Sequence, residues 1–347
     1  MSSRSPRALA LAAAVAALAA LAPFVLGSEP AAPAQTGPGA QLLDDARRAA
    51  QVQDFSGVLE VSWSDARGAH TSDVFVGSAN GVLALGDRPQ VIVNGARRFV
   101  QSPDGWLAVW NQDAEPGVPS PTAKWELAVR DGPTVAGRPT REVDATDRHD
   151  GLVRERLYLD ATTSLLLRRE QLDERGRTVQ AVGFTSIGEP AAGMFIGALP
   201  GEAPQAPSRS TNRQPRVLHE VAAPYHAPRS AGDRFQLVGR YDEDDHTLHL
   251  FYSDGLYSVS VFEQKGELDP TGLPSGAESR TVAGRDVRQY RTPGGSAIVW
   301  ESGDVVYTTV SDAPVDQLDG VLADLTPPRS TDAVTRVTDF VLGPFSW

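Results

Sequence analysis

The segment Leu248–Phe262, LHLFYSDGLYSVSVF, constrains the fold of this chain more than any other stretch. Apolar residues alternate with other residues on both sides of Asp254-Gly255, and a period of two is typical of β-strands. Asp-Gly between two such runs predicts a type I′ turn, because both central residues of that turn need a positive φ. The segment is therefore predicted to be a β-hairpin with a two-residue turn.

This turn also predicts the register of the hairpin. The opposed residues would be Ser253 and Leu256, Tyr252 and Tyr257, Leu250 and Val259, and Leu248 and Val261. The last three pairs are apolar and share one face, and a slip of one residue would move every side chain to the other face. We expect the apolar face to pack against a helix at Val315–Leu325. The opposite face, with Phe251 and Leu256, is expected to remain available to a partner.

The length of 347 residues suits about two domains. Gln41–Gln53 has apolar residues at helical spacing, and short β-rich runs separated by Gly, Asp, Asn or Pro follow it. The predicted strands are Val58–Trp63, Thr71–Gly77, Val82–Leu85, Arg97–Gln101, Trp106–Trp110, Lys124–Arg130, Arg141–Thr146, Val153–Leu159, Ser164–Leu172 and Val179–Ile187. So many consecutive strands after one helix predict a large antiparallel sheet, curved or closed into a barrel-like shell.

The stretch Leu199–Arg216 is rich in Pro, Ser, Gln and Arg, a composition typical of a linker. Beyond it lie the hairpin and further strands at Ser279–Tyr290, Ala297–Glu301 and Val305–Val310, and then a helix at Pro314–Leu325. This predicts a signal segment at 1–27, a tether at 28–40, a β-rich domain at 41–198, a linker at 199–216, a second domain at 217–328 and a tail at 329–347.

One short sequence, Thr-Val-Ala-Gly-Arg, occurs twice, at Thr134–Arg138 and at Thr281–Arg285. Each copy stands directly before a predicted strand. We therefore expect two similar hairpin turns, and not a structural repeat.

The N-terminus has the pattern of an export signal. Arg4 and Arg7 precede the uncharged apolar run Ala8–Leu26, and cleavage positions follow near Gly27 and Ala34. The apolar run is also close to the length of a transmembrane helix, so an uncleaved membrane anchor remains an alternative. Either way the bulk of the chain is expected outside the cytoplasmic membrane, in the periplasm or another extracytoplasmic space.

Composition excludes several classes of function. The formal net charge is −12, which argues against nucleic acid, because nucleic-acid binding needs a cationic surface. The chain has no cysteine, so disulfides, thiol nucleophiles and cysteine-based zinc sites are absent.

The sequence offers only weak catalytic or metal-binding candidates. Gly294-Gly295-Ser296-Ala297-Ile298 lacks the last glycine of a nucleophile elbow, and it fits a loop that leads into a strand. His246 and His249 are three apart, which places them on opposite faces of a strand. We expect no enzyme activity, no cofactor and no metal.

Large apolar residues in the β-rich half form a candidate apolar cavity. They are Trp63, Leu83, Trp106, Trp110, Trp125 and Leu159. Curved sheets hold ligands on their inner side. The alternative, that these residues simply pack a core, explains the same pattern.

Two groups of residues resemble the RseB/MucB family, the extracytoplasmic regulators of the sigma-E envelope-stress response. The first is Tyr252-Ser253-Asp254-Gly255-Leu256, with Ser258, Ser260, Val261 and Phe262 after it. The second comprises Ala136-Gly137-Arg138, Leu157-Tyr158-Leu159-Asp160, Leu166-Leu167-Arg168, Asp173 and Gly176, and LolA-type lipoprotein carriers share it more loosely.

The resemblance implies an α+β chain. Its N-terminal domain would be a LolA-like unclosed antiparallel β-barrel with a helix and an apolar cavity, and its smaller C-terminal domain would be an α/β sandwich-like domain. Family members are not enzymes. They bind the extracytoplasmic part of an anti-sigma factor and shield it from proteolysis until a lipid-like signal relieves the shielding.

Three hypotheses about function follow. The first is a regulator that binds an anti-sigma factor and senses a lipid-like signal. The candidate partner-binding residues for this role are Phe251, Tyr252, Ser253, Asp254, Gly255 and Leu256. The second is a LolA-like carrier of a lipid or lipoprotein, and the third is a structural surface protein. Each of the three hypotheses is compatible with a homo-oligomer.

Overall fold

The computed structural model describes residues 37–65, 67–79, 82–85, 91–94, 97–102, 105–110, 119–190, 216–218, 221, 224–244, 247–271, 273, 276–292, 294–325 and 336–337. The predicted signal segment, most of the tether and linker, and most of the tail lie outside these residues. The chain divides into two compact units. One comprises residues 1–113 and 121–212, and the other comprises residues 114–120 and 213–347.

The first unit consists of a helix followed by one large sheet. Helix α1 covers Pro38–Val52, so it begins three residues before the predicted start, and Pro38 occupies the first turn, where a missing N–H costs nothing. The strands are β1 Phe55–Asp65, β2 Gly68–Ala79, β3 Val82–Leu85, β4 Val91–Asn94, β5 Arg97–Ser102, β6 Gly105–Trp110, β7 Trp125–Val135, β8 Arg138–Asp147, β9 Val153–Asp160, β10 Leu166–Leu172 and β11 Thr178–Gly188. A 3₁₀ turn at Pro121–Ala123 precedes β7.

This sheet is antiparallel and does not close. Its strand order is β6-β5-β4-β3-β2-β1-β11-β10-β9-β8-β7, and no ladder among the described residues joins β6 to β7. The strand β4 was not among the predicted strands, whereas β3, which is equally short, was predicted with its observed bounds. The predicted large antiparallel sheet with one early helix is confirmed.

Helix α1 packs closely against β7. Its buried side chains include Leu43, Ala46 and Ala49. A Cβ on Gly39 would lie 2.6 Å from the Cβ of Leu127, so a glycine at this position permits the close approach.

The second unit is built around a smaller antiparallel sheet. Its strands are β12 Arg216–Val217, β13 Ser230–Ala231, β14 Phe235–Asp244, β15 Thr247–Ser253, β16 Ser258–Lys265, β18 Glu278–Val282, β19 Arg285–Thr292, β20 Gly295–Ser302 and β21 Val305–Ser311. The order is β12-β14-β15-β16-β21-β20-β19-β18, with β13 also on β14. A separate parallel pair joins β17 Glu267–Leu268 to β22 Arg336–Val337. Few helices and two unclosed sheets confirm the α+β class.

The hairpin of β15 and β16 exists, but its predicted turn and register are wrong. Ser253 opposes Ser258, Tyr252 opposes Val259 and Leu250 opposes Val261, so four residues form the loop and not two. The N–H of Asp254 donates to the carbonyl oxygen of Tyr257 at 3.2 Å. The shift is two residues, which is one full period of a strand, and the apolar residues therefore keep the face that was predicted for them.

The two Thr-Val-Ala-Gly-Arg copies both form the predicted tight turns. Val135 pairs with Arg138 and Val282 pairs with Arg285, which leaves Ala-Gly as the two turn residues. The φ angles are 48° and 78° at the first copy and 49° and 76° at the second. Positive φ at both positions matches the type I′ turn.

The predicted helix at Pro314–Leu325 is shorter than expected. A 3₁₀ turn covers Val315–Gln317, and helix α2 then covers Leu318–Asp324. Leu318, Val321 and Leu322 are buried, and α2 contacts β13 and β18. That the apolar face of the hairpin packs against this helix stays a prediction.

The strained alanine in the second tight turn gives a test. Ala283 is exposed and holds a left-handed φ that costs an ordinary L-residue about 1–2 kcal/mol, whereas asparagine tolerates it. We expect Ala283→Asn to raise the free energy of unfolding by up to about 1 kcal/mol, measured by urea denaturation. Ala283→Val is the matched control and should lower it, because a β-branched residue fits this φ worst. Equal stability of the three proteins would contradict the type I′ assignment.

Candidate functional site

The loop between β15 and β16 is organised by the carboxylate of Asp254. Its Oδ1 accepts hydrogen bonds from the N–H groups of Leu256 and Tyr257 at 2.9 and 2.7 Å. Its Oδ2 accepts a hydrogen bond from Nε of Arg234 at 2.9 Å. The Oγ of Ser253 donates to the carbonyl oxygen of Tyr257 and accepts the N–H of Gly255. These local bonds replace the ladder bonds that a two-residue turn would make, which explains the longer loop.

Burial dominates the electrostatics of this carboxylate. Asp254 is fully buried, and desolvation raises its pKa, while Arg234 and the two loop N–H groups act in the opposite direction. The Gly255 residue at the loop tip has a φ of 91°, which suits glycine. The loop is therefore a fixed, buried structure.

The candidate partner-binding residues differ in exposure. Phe251 is partly exposed, whereas Tyr252, Ser253, Asp254, Gly255 and Leu256 are buried. The expectation that Leu256 lies on an available face is wrong, since only 1% of its surface is exposed. Leu256 belongs to the wider loop and turns inward with it. Of the six, the structure leaves Phe251 accessible.

Phe251 belongs to a partly exposed apolar strip on the outer face of the second sheet. Phe251 opposes Ser260 and Ser260 opposes Val310, so the three side chains share a face. Phe262 lies on the same face and stacks on His249 with ring centroids 4.3 Å apart. We call Phe251, Ser260, Phe262 and Val310 the Phe251 strip.

A covered region lies beside this strip on the same face. Its buried residues are Tyr290, Ala297, Val299 and Val306, and the partly buried residues packed on them are Leu268, Leu273, Ala277 and Val310. Leu268, Leu273 and Ala277 of the same chain thus pack on the β19–β20 side of this face. The Phe251 strip continues this apolar surface and remains partly exposed.

The inner face of the first sheet contains the described part of the candidate cavity. One row of opposed residues crosses the sheet through Leu127, Ala145, Glu155, Gln171, Gln180, Trp63 and His70. By register, Trp125 and Leu159 lie on this same face, and both are fully buried. Trp63 is partly buried and stacks on His70 at 5.1 Å. The side chains of Leu83, Trp106 and Trp110 lie outside the described residues.

This inner face also carries a charged pair that sequence analysis missed. Nε of Arg169 donates to Oε2 of Glu155 at 2.9 Å, and both side chains are buried. Nε2 of Gln171 lies 3.5 Å from the other carboxylate oxygen. The candidate cavity was predicted to be apolar, but Glu155 of this row forms an ion pair with Arg169 of the neighbouring row.

The structure shows where one of the weak catalytic and metal-binding candidates lies. Ser296 is the second residue of β20 and is buried, so the glycine-rich stretch leads into a strand as predicted. His246 lies outside the described residues. In the described part of the chain, no group of three or more His, Asp or Glu side chains is arranged to hold a metal ion. No helix described here has the length and hydropathy to cross a bilayer.

Comparison with known proteins finds likeness only among solved structures. No family model matches the chain, and no curated protein matches it. A structure of MucB in complex with MucA(peri) is 17% identical, covers 85% of this chain and 100% of that chain, and has a TM-score of 0.41. The Pseudomonas aeruginosa MucA/MucB complex is 18% identical, with coverages of 84% and 99% and a TM-score of 0.42.

A LolA superfamily protein from Nitrosomonas europaea is similar at greater distance. It is 8% identical, the match covers 82% of this chain and 97% of that chain, and the TM-score is 0.19. Identities this low and TM-scores below 0.5 assign neither an activity nor a partner.

The buried pair on the inner face gives a test. Arg169→Leu leaves the Glu155 carboxylate buried without its cation, and we expect a loss of about 3–5 kcal/mol in the free energy of unfolding. Adding Glu155→Leu should recover most of that loss, measured by urea denaturation at neutral pH. Arg177→Leu removes the exposed pair with Asp173 and should change little. A double variant as unstable as Arg169→Leu would contradict the pairing.

Proposed function

We propose that this chain is an extracytoplasmic regulator of an envelope-stress sigma-factor pathway, which acts by binding the extracytoplasmic segment of an anti-sigma factor. The observation that carries the proposal is the Phe251 strip. Three of its four residues lie on the hairpin that bears the most specific part of the sequence resemblance, and it offers apolar surface beside a region that the chain covers itself. Apolar patches flanked by polar residues are typical of protein-binding surfaces.

The partner implied by the resemblance fits the location of the chain. The basic N-terminus and apolar run favour export, and an anti-sigma factor presents a segment on the outer side of the same membrane. Two of the similar solved structures are complexes of MucB with MucA, and the proposal gives this chain a partner of that kind. The proposed role is binding, with Phe251 and Phe262 as the aromatic contacts.

A second candidate function is a lipid or lipoprotein carrier of the LolA-like type. The inner-face residue Trp63 favours it, because it keeps partly exposed apolar surface on the side of the sheet that faces α1, whereas Trp125 and Leu159 on that face are fully buried. The buried Glu155–Arg169 pair limits how much of that face is apolar. Native mass spectrometry of the purified protein separates the two functions. A stoichiometric co-purifying lipid supports carriage, and its absence together with tight protein binding supports regulation.

Binding to anti-sigma segments tests the first function. Residues 28–347 would be titrated with the extracytoplasmic segments of single-pass proteins encoded next to sigma factors in the same genome. We expect one of them to bind, and Phe251→Ala to weaken that binding at least tenfold, because a central aromatic contact contributes about 1.4 kcal/mol or more.

Phe75→Ala is the matched control, since Phe75 is a partly exposed phenylalanine on a strand of the first unit. It should leave the affinity unchanged. If no segment binds, the regulatory function is wrong. If a segment binds wild type and Phe251→Ala equally, the function stands and the Phe251 strip is not its surface.

A further inference from the structure

The segment at residues 224–228, which we call the strap, leads into a stretch that is paired with β14, where β13 lies and where the N–H of Leu237 donates to the carbonyl oxygen of Arg229 at 2.9 Å. Three hydrogen bonds that involve side chains also hold the strap and the stretch after it. The N–H of His226 donates to Oε2 of Glu263 at 3.0 Å, and the hydroxyl of Tyr252 donates to the carbonyl oxygen of Pro228 at 3.0 Å. The N–H of Gly232 donates to Oδ2 of Asp324 at 2.9 Å. The first two bonds fasten the strap to the middle strands of the sheet.

Glu263 is an unusual anchor, because it is a carboxyl group in the interior. Its exposure is 0%, and it opposes Leu248 on β15 and Tyr307 on β21. Its second oxygen, Oε1, is buried and has no hydrogen-bond partner among the described residues. The same is true of the hydroxyl of Tyr307 and of Nε1 of Trp300, which stacks on Tyr307.

The polar groups around Glu263 do not neutralise a negative charge on it. Burial raises the pKa of the hydroxyls of Tyr252 and Tyr307, and a negative charge on Glu263 would raise both further. Among the described residues, no ion pair joins Glu263 to an arginine, a lysine or a histidine.

Charged side chains on neighbouring elements act on the tyrosines or lie along the same row. Burial raises the pKa of both tyrosines, and the charge of Arg240 partly offsets this rise at Tyr252. At Tyr307 the charge of Arg285 partly offsets the rise, whereas the charge of Asp304 adds to it. Asp242 belongs to the row of Leu248 and Glu263, and it is an acid like Glu263. The imidazole of His226, on the strap itself, is exposed. An ionised Glu263 would therefore be a buried charge with one N–H donor.

These contacts set the protonation of Glu263. Burial raises the pKa of its carboxyl to about 8, and the N–H of His226 offsets only part of this rise. A protonated carboxyl still accepts the N–H of His226 on Oε2. The docked strap is thus compatible with the neutral acid.

We propose that the strap is a proton-dependent latch, docked while Glu263 is protonated and released when Glu263 ionises into water. This inference does not depend on the proposed function. It assigns Glu263 a positioning role through the backbone of His226.

The direction of the pH dependence follows from linkage. Below the ordinary carboxyl range both the docked and the released forms are protonated, so docking is independent of pH there. As the pH rises toward about 8, only the released form loses its proton, and docking weakens by up to about tenfold for each pH unit. Above about 8 both forms are ionised, and the dependence ends.

Hydrogen exchange of the strap amides tests the latch. Exchange of the peptide that contains His226 would be followed by mass spectrometry at several pH values from acid to mildly alkaline. Glu263→Gln keeps the acceptor and cannot ionise, so the ratio of the wild-type rate to the variant rate cancels the chemistry of exchange. We expect this ratio to rise with pH by up to about tenfold per unit and then to level off near pH 8.

Two control variants isolate Glu263. Glu301→Gln makes the same substitution at an exposed carboxylate, which accepts the N–H of Leu268. Because Glu301 is not buried, the pH dependence of strap exchange in this variant should match that of the wild type. His226→Asn keeps the backbone N–H and removes the imidazole side chain, and the rise should persist. A flat ratio would overturn the latch, as would loss of the rise in either control.

If the Glu263→Gln variant fails to fold, hydrogen exchange of the wild-type protein alone still tests the latch. The strap peptide should then gain exchange with pH, after correction for the intrinsic rate, relative to a peptide from β20. Equal pH dependence in the two peptides would assign the effect to unfolding of the whole unit and would overturn the latch.

Discussion

The two-residue period of the β-strand is the constraint on which both units depend. Nearly every described element is a strand, so a side chain faces inward or outward according to its register. Loops set that register. The loop held by Asp254 places Leu250 opposite Val261, and the pairing then continues through β21 and β20. One buried carboxylate thereby helps to fix the outer face from Phe251 to Val310.

The limits of sequence prediction follow from the same period. The faces of the hairpin were predictable because alternation survives a shift of two residues, whereas its loop length was not, because it depends on bonds from the Asp254 side chain. The Ala-Gly turns were predictable, since their chemistry is local. The Glu155–Arg169 pair was not, because two strands must first be aligned before their charges meet. The Phe251 strip could not be predicted, because identifying it requires knowing which side chains are buried, and no local sequence pattern gives that information.

Interior polar groups distinguish this chain from a simple sheet protein. Glu155 and Glu263 are both fully buried carboxyl groups, one in each unit, but their surroundings differ. An arginine compensates the first, and desolvation acts nearly alone on the second. A paired arginine favours the charged carboxylate, so we assign Glu155 a structural role. Desolvation favours the neutral acid, so we assign Glu263 the role of a group that responds to pH.

The position of β21 has a consequence for the order of assembly. This strand, Val305–Ser311, lies between β16 and β20, although β17, β18 and β19 separate β16 from β20 along the chain. As the chain is made from its N-terminus, β16 presents an unpaired edge until nearly the whole sheet sequence has emerged. Unpaired edges invite association with other chains. The interval before β21 emerges is therefore when a newly made molecule is most in need of protection from aggregation.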